Sequence, residues 1–499
     1  MKVSAKTSPR PGARMQPGVP AVRELYRLRA DAQLCGAQGG AIKLRQARFE
    51  AEIANPGAGT RAMLLRLAEQ WVDDAEICRV IASIEGERGI MPGQLLLRRL
   101  VMRSWLWRRL QAGDRPLLDV IPFALGDGTF PRPIRHDPLA LVRLSRFASV
   151  SADGAGLLAQ TPLSTVAVAF PDSSLAGLLV PAATSGLTPA DVGGLAGLTD
   201  RAAGAVLDEL LTARILVSAA EHRAEFTEPP QAVWATAELT LHHRARTGQH
   251  ALPIGGTLRF RDQFPAEPLQ RAQDQVPGET DRDELPVPDL DAISRTEPSL
   301  TEVIGRRRSI RAHDATHPIN GGQLAEFLYR VQHTSGVRQL GNGQEVGARP
   351  YPAGGQLCEL EIYPLVSRCA GLVPGLYHYD SIEHRLTRLA PLRPAGQRML
   401  AHAREAAAMA EQPQVLLVMT ARVQRLLWKY EGMGYALALK NSGVLTGLMY
   451  LVATAMGLAP CALGSGDSAA FALLSGLDPL VEPSIADFAL GSTAPEMVS

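Results

Sequence analysis

The sequence predicts an α+β protein: two small winged-helix-like units followed by a larger α/β domain of about 200 residues. Three observations predict it. A helix, turn, helix, strand pattern surrounds residue 200, a Pro-rich acidic stretch occupies residues 262–298, and helix and strand signals alternate from Ser299 onward. The composition is that of a folded chain. Of 499 residues, 46% are hydrophobic and 20% charged, which excludes disordered, collagen-like and disulfide-stapled classes.

Residues 1–19 mix Lys2, Lys6, Arg10 and Arg14 with Pro, Gly and Ser but contain no apolar run, so a disordered tail is expected rather than a signal peptide. Five scattered cysteines without metal-ligand spacing read as free thiols of a cytoplasmic protein that binds no metal. The first winged-helix-like unit, residues 20–125, has strand signals at Tyr26–Leu28, Ile42–Leu44 and Phe49–Ile53. A helix at Thr60–Trp71 and a second through Leu95–Leu110, carrying Trp105 and Trp107, follow. After a Pro/Gly/Asp-rich break at 126–138, the second unit, residues 139–225, opens with strands near Leu141–Phe147 and Val166–Phe170. Thr188 with Pro189 starts a helix that stops at Gly197. Thr199 caps the next, with Val206, Leu210 and Leu211 on one face, and Ile215–Val217 forms a strand. Residues 226–261 connect, 262–298 form a linker without apolar periodicity, and 299–499 make up the α/β domain.

Net charge is +1, yet residues 1–110 hold 19 basic and 10 acidic groups, a local +9 that suits an acidic partner. Nucleic acid is not expected. The second helix of the pair sets Arg201 and Arg214 against Asp200, Asp208 and Glu209, too acidic for phosphates and base edges. Residues 441–466 lack any charge and are long enough to span a bilayer. Asn441, Ser442, Thr446, Thr454, Pro460 and several glycines, with Leu445, Leu448, Val452 and Ala455 at helical spacing, instead predict a buried helix ending at Gly457 and no membrane contact.

Four motifs could carry chemistry. Arg306–Arg311 gathers four guanidinium groups and Ser309 in six residues, which suits a phosphate monoester or, equally, a solvated basic turn. Arg349–Gln356 is stiffened by Pro350 and Pro352 and opened by Gly354 and Gly355, so backbone N–H groups could approach a planar ligand. Lys429 and Tyr430 place an amine beside a phenol in a charge-poor stretch, a candidate acid/base pair if the lysine is desolvated. Cys461–Gly466 reads as a small-residue loop, with Cys461 no nucleophile because no His stands near it.

In this order the motifs resemble those of the SagB-type azoline dehydrogenases, nitroreductase-like flavoproteins that oxidise peptide thiazolines and oxazolines to azoles. The likeness rests on RRRSIR, RPYPAGGQLCELEIYPLV with GLYHYD, LWKYEGMGYALALKNSG and MGLAPCALGSGD. Upstream, Trp234, LHHRARTG at 241–248 and PIGGT at 253–257 also fit. The resemblance implies a nitroreductase-like α/β domain binding FMN at a homodimer interface. Arg307, Arg308, Ser309 and Arg311 would hold its phosphate, Pro352, Ala353, Gly354 and Gly355 would line the flavin, and Leu463, Gly464 and Ser465 would approach its ring. Lys429 and Tyr430 would be catalytic. Ala353 stands where the family often has Ser, and Val444 and Gly447, after an expected Asn441–Gly443 turn, stand where His and Gln are frequent.

The resemblance also implies an azoline-containing precursor peptide as substrate, a cyclodehydratase partner that supplies it, and an N-terminal unit similar in pattern to a leader-peptide recognition domain. Oxidation to the azole removes a proton and a hydride, so a base and an electron acceptor must be held together. Two alternatives remain from the sequence: a general FMN nitro or quinone reductase using NAD(P)H, and a peptide-binding scaffold with a degenerate flavin domain.

Overall fold

The computed structural model describes residues 21–36, 40–46, 49–126, 129–152, 156–270 and 282–494. The expected tail at 1–19 lies outside these residues, as do residues 271–281 of the expected linker. The chain divides into two compact units at Pro253/Ile254.

The N-terminal unit is built on a seven-stranded antiparallel sheet. Its strands run in the order Val72–Asp73, Val22–Leu28, Leu106–Ala112, Arg115–Pro122, Val166–Phe170, Leu157–Gln160 and Ser149–Ala152. The helices Ala58–Glu69, Asp74–Glu85 and Ile90–Met102 bury Met63, Leu64, Leu67, Ile77, Ile81, Leu97 and Leu100 in a core shared with Leu28 and Leu106. Two expectations change here. The helix placed at Leu95–Leu110 ends at Met102; Ser104 turns with φ +63°, and Leu106–Ala112 is a strand that buries Leu106, Leu110 and Ala112 on one face. The two expected winged-helix-like units share one sheet, because Arg115–Pro122 of the first pairs with Val166–Phe170 of the second.

The helix pair follows its cap residues. Thr188 and Asp191 form a reciprocal capping box, Pro189 occupies the first turn, and Gly197 ends the helix at φ +62°. Thr199 caps Asp200–Thr212, and Leu216–Ser218 pairs with Val142–Leu144. Two of the three acidic residues of that second helix are used internally: Glu209 bonds Arg108 at 2.7 Å, and Asp208 bonds Arg135 and His136.

The C-terminal unit is a second seven-stranded antiparallel sheet, in the order Arg282–Glu284, Arg385–Pro391, Gly375–Asp380, Leu360–Val366, Val415–Ala421, Ser484–Ser492 and Leu458–Leu463. The central strand Val415–Ala421 is buried along its whole length. Leu417 and Met419 pack with Phe327, Leu328, Leu445 and Met449 from the helices Gly321–Gln332 and Gly434–Ala455. Leu416 and Val418 pack with Met399, Leu400, Phe471 and Leu474 from Pro394–Ala406 and Ser468–Ser475. Alternation along one strand thus feeds two cores, so the run reads as continuously apolar. Gly434–Ala455 is long and apolar enough to cross a membrane; here it buries Ala438, Leu445, Met449 and Ala453 in the domain core. Asn441–Gly443, expected as a turn, lies inside this helix.

The expected linker is partly a strap. Arg422 and Arg425, 1% and 3% exposed, direct their guanidinium groups at it. Arg422 bonds the Glu267 carboxylate at 2.6 Å and the carbonyls of Pro268 and Leu269. Arg425 bonds the carbonyls of Glu267, Glu345 and Leu357, and Trp428 Nε1 donates to the Phe264 carbonyl. Residues without apolar periodicity are fixed here through main-chain oxygens, which composition does not reveal. Glu267→Ala leaves the buried Arg422 cation with Glu361, at 3.5 Å, as its one carboxylate partner among the described residues. It is expected to lower unfolding free energy by about 2–3 kcal/mol in urea titration; a loss well under 1 kcal/mol would show that the pair does not hold the strap.

Candidate active site

The long helix Gly434–Ala455 positions two clusters, one near each end. Near its start, Leu437 closes on the turn that follows Pro352. A Cβ built on Gly354 would lie 2.4 Å from Leu437 Cδ2, so any larger residue there would have to displace the Leu437 side chain. Gly355 sits at φ +66°, and a Cβ on it would lie 2.6 Å from Tyr430 Oη and 2.9 Å from Lys429 Nζ. The turn is pinned from below by Arg349, which donates to Thr334 Oγ1 and Tyr351 Oη at 3.0 Å and to the Leu360 carbonyl. Burial pushes the Tyr351 phenol up to about 12.

Lys429 and Tyr430 leave the short helix Val423–Leu427 and enter a two-residue antiparallel pairing, Tyr430 with Gly256 and Glu431 with Gly255. Leu258 N–H donates to the Lys429 carbonyl at 3.2 Å, and Thr257 Oγ1 donates to Glu431 at 3.0 Å. Gly255, Gly256 and Thr257 of that upstream motif therefore form one wall of this cluster. Lys429 Nζ stands 5.2 Å from the Tyr430 ring centroid. Burial first, and then the Glu359 carboxylate, holds the Tyr430 phenol above its ordinary range.

Near the other end of the helix, Tyr450 Oη meets Ser309 Oγ at 2.7 Å and accepts from Ala462 N–H at 2.8 Å. Arg307 lies over the Tyr450 ring at 5.3 Å, and Arg311 Nε donates to the Ala407 carbonyl at 2.6 Å. Ile310 N–H bonds the Pro460 carbonyl, which fastens the basic segment beside the strand Leu458–Leu463. Arg307, Arg308 and Arg311 are exposed. Cys461, expected in a loop, is a buried strand residue whose thiol burial pushes up. Leu463 ends that strand, Gly464 and Ser465 form the exposed loop beyond it, and Ser465 Oγ lies 3.2 Å from His402 Nε2.

The structure thus brings Gly354 and Gly355 together with Lys429 and Tyr430, and Ser309 together with the Leu458–Leu463 strand. It keeps these groups apart: Leu437 and Tyr450 are thirteen residues apart on the helix, about 20 Å at the α-helical rise. Val444 and Gly447 face outward between them. A flat, phosphate-bearing ring system fits the donor set in kind, with guanidinium groups and a hydroxyl at one cluster and a turn lacking side chains at the other.

Residues 304–491 match the family model described as Nitroreductase family. The C-terminal region is a nitroreductase-family domain. Members of that family are FMN-dependent oxidoreductases. A Methanocaldococcus jannaschii protein assigned as a nitroreductase, MJ1384, is 25% identical over 182 residues, 36% of this chain and 84% of its own. Among solved structures, the E. coli microcin synthetase McbBCD complex with truncated pro-MccB17 is 20% identical, covering 50% of this chain and 85% of that one, with TM-score 0.33. A protein of Desulfovibrio desulfuricans, assigned to the nitroreductases and in complex with FMN, is 16% identical, covering 41% and 91%, with TM-score 0.27.

Sequence reading missed three contributors to the nitroreductase-family domain: Glu359, Leu437 and Tyr450. For Glu359 the available signal was an acid in an otherwise apolar strand start, LCELEIY. It also missed Asp487, paired in register with Leu463, whose carboxyl approaches Gly466 so closely that a Cβ there would lie 2.3 Å from it. Burial, with a smaller contribution from Asp467, pushes Asp487 up to about 7. A carboxyl raised above its unfolded value of about 3.9 contributes stability fully below that pH and loses it as pH rises toward 7. Asp487→Asn should therefore match wild type in melting temperature near pH 4 and exceed it near pH 8, by roughly 1–4 kcal/mol in unfolding free energy. A constant difference across that range would overturn the assignment.

Proposed function

We propose that the chain is an FMN-dependent dehydrogenase that oxidises thiazoline or oxazoline rings of a ribosomally made precursor peptide to the azoles. The observation that carries this reading is the amine and phenol of Lys429 and Tyr430 set against the side-chain-free turn at Gly355. FMN, when bound, supplies the two-electron acceptor. Arg307, Arg308, Ser309 and Arg311 hold its phosphate, Pro352, Ala353, Gly354 and Gly355 line its ring system, and Leu463, Gly464 and Ser465 close on it. Tyr430, kept as a phenol by burial and by Glu359, donates a hydrogen bond to the substrate ring, which leaves Lys429 to take the proton from the ring's α carbon.

The two clusters at opposite ends of one helix support a homodimer in which each site takes its phosphate-holding residues from one copy and its Lys429–Tyr430 end from the other. The outward residues Tyr435 and Leu439, one helical turn apart, provide apolar surface for that contact. The excess of basic groups in the first 110 residues suits an acidic leader segment of the precursor peptide, and the winged-helix-like helix pair belongs to that docking role. A cyclodehydratase supplies the azoline.

The deciding experiment is mass spectrometry of an azoline peptide incubated aerobically with the purified protein. Wild type should remove about 2 Da per ring, and Lys429→Ala, with flavin absorbance retained, should slow this by roughly 100-fold or more. Unchanged mass alongside reduction of nitro or quinone compounds by NAD(P)H would favour a general reductase; a colourless protein would favour a scaffold. The shared site has its own check. Mixing Lys429→Ala and Arg308→Ala chains should restore about a quarter of wild-type activity, since half the dimers are mixed and each mixed dimer has one intact site of two. Sites contained in single chains would restore none.

A further inference from the structure

Tyr450 stands on the helix Gly434–Ala455 with its hydroxyl between two segments distant in sequence. Its Oη lies 2.7 Å from Ser309 Oγ and accepts from Ala462 N–H at 2.8 Å. Ala462 belongs to Leu458–Leu463, the edge strand of the sheet, so its outward N–H has no neighbouring strand to meet. The basic segment bonds this edge through main chain at Ile310 N–H and the Pro460 carbonyl. Two residues further along the edge, a phenol takes the place of a strand.

The direction of these bonds follows from the hydrogens present. A phenol has one hydrogen to donate and lone pairs with which to accept. Ala462 N–H can only donate, so it takes an acceptor position of Tyr450, and Ser309 Oγ is the acceptor that the Tyr450 O–H reaches among the described residues. With Tyr450 donating, the Ser309 hydrogen is left to point elsewhere. Its other neighbour is the Cys461 thiol, which burial keeps protonated and which accepts only weakly. Ser309 therefore presents its O–H from the same short segment that exposes Arg307, Arg308 and Arg311. The phenol ring is held as well: Phe488, 0% exposed, meets it edge-on at 5.2 Å, and Arg307 lies over it. A fixed ring fixes the direction in which its hydroxyl holds the serine.

We propose that Tyr450 is a positioning residue for the phosphate of the cofactor: its hydroxyl holds Ser309 as a donor and ties the basic segment to the strand that leads into Gly464 and Ser465. The inference rests on the reading of FMN as cofactor, with Ser309 among the residues that hold its phosphate. Tyr450 does not touch the phosphate. Without its hydroxyl, Ser309 is free to rotate among its staggered positions and Ala462 N–H loses its acceptor, so the serine no longer offers one fixed donor.

The test is a double-mutant cycle on flavin affinity, read with the full chain by quenching of flavin fluorescence, which needs no turnover. Ser309→Ala should weaken FMN by about tenfold and Tyr450→Phe by about fivefold, and the double variant should bind no more weakly than Ser309→Ala alone. Riboflavin, which lacks the phosphate, should bind all four proteins alike. Tyr450→Phe keeps the ring beneath Arg307, so its loss reports the hydroxyl. Should it disturb folding, Tyr450→Met fills the site and is expected to weaken FMN less in the Ser309→Ala background than in wild type. Unchanged FMN affinity in a folded Tyr450→Phe chain, losses that add in full, or an equal loss for riboflavin overturns the proposal. If wild type binds FMN but oxidises no azoline, the preceding functional reading falls and the cycle alone decides for or against Tyr450; if it binds no FMN, both fall.

Discussion

Two buried guanidinium groups hold the candidate site in register. Arg422 and Arg425 emerge where the central strand Val415–Ala421 ends, and between them they bond carbonyls at Glu267, Pro268, Leu269, Glu345 and Leu357. A guanidinium group carries five donors in a rigid fork, so burying it requires acceptors on several sides. The chain meets that demand with main-chain oxygens of the strap and of the residues around the glycine turn. Burial, and then the charge of Arg422, brings Arg425 down to about 10, which shows how strongly the pair is withdrawn from water. Because Lys429 lies only four residues beyond Arg425, its backbone cannot shift far without undoing these bonds.

That constraint explains which parts of the fold were legible in the sequence. Local signals read well: Thr188, Pro189, Gly197 and Thr199 bound their helices where expected, and Val166–Phe170 forms the expected strand. Signals that depend on distant partners did not. Leu95–Leu110 contains good helix formers throughout, and only the pairing of Leu106–Ala112 with Val22–Leu28 turns its second half into a strand. Residues 264–269 looked like linker because their role is to supply carbonyls, for which no side-chain pattern exists. Asn441–Gly443 has turn composition but is carried through as helix, its Asn side chain bonded to Glu359 rather than to its own backbone.

The candidate site was legible as residue types and illegible as layout. The basic segment, the glycine turn and the Lys–Tyr pair could each be found along the chain, but their distribution to the two ends of one helix follows from sheet topology. Leu458–Leu463 is an edge strand beside Ser484–Ser492, whereas Leu360–Val366 lies on the other side of the central strand. The segments that precede or follow those strands therefore emerge far apart. The buried acid at Glu359 was hidden for a related reason: Glu359 and Glu361 stand two apart in an apolar strand, and only the structure shows Glu361 beside His378 and Arg422 while Glu359 keeps an unbonded oxygen.

The glycine turn has a consequence for chemistry as well as shape. At Gly354 any side chain would strike Leu437, and at Gly355 it would strike the Tyr430 hydroxyl and the Lys429 amine. Gln356 and Cys358 also adopt left-handed backbone, at φ +56° and +52°, conformations that cost non-glycine residues and persist only when their surroundings enforce them. The enforcing contacts are Arg425 on the Leu357 carbonyl, Arg349 on the Leu360 carbonyl, and Asn441 on the Glu359 carboxyl. The left-handed residues Gln356 and Cys358, the half-bonded acid Glu359 and the Leu357 and Leu360 carbonyls that Arg425 and Arg349 bond thus fall within five residues, 356–360. A turn held this firmly keeps backbone N–H groups and the amine–phenol pair at fixed separation without side chains in the way, the arrangement a flat ligand and a ring substrate stacked on it require.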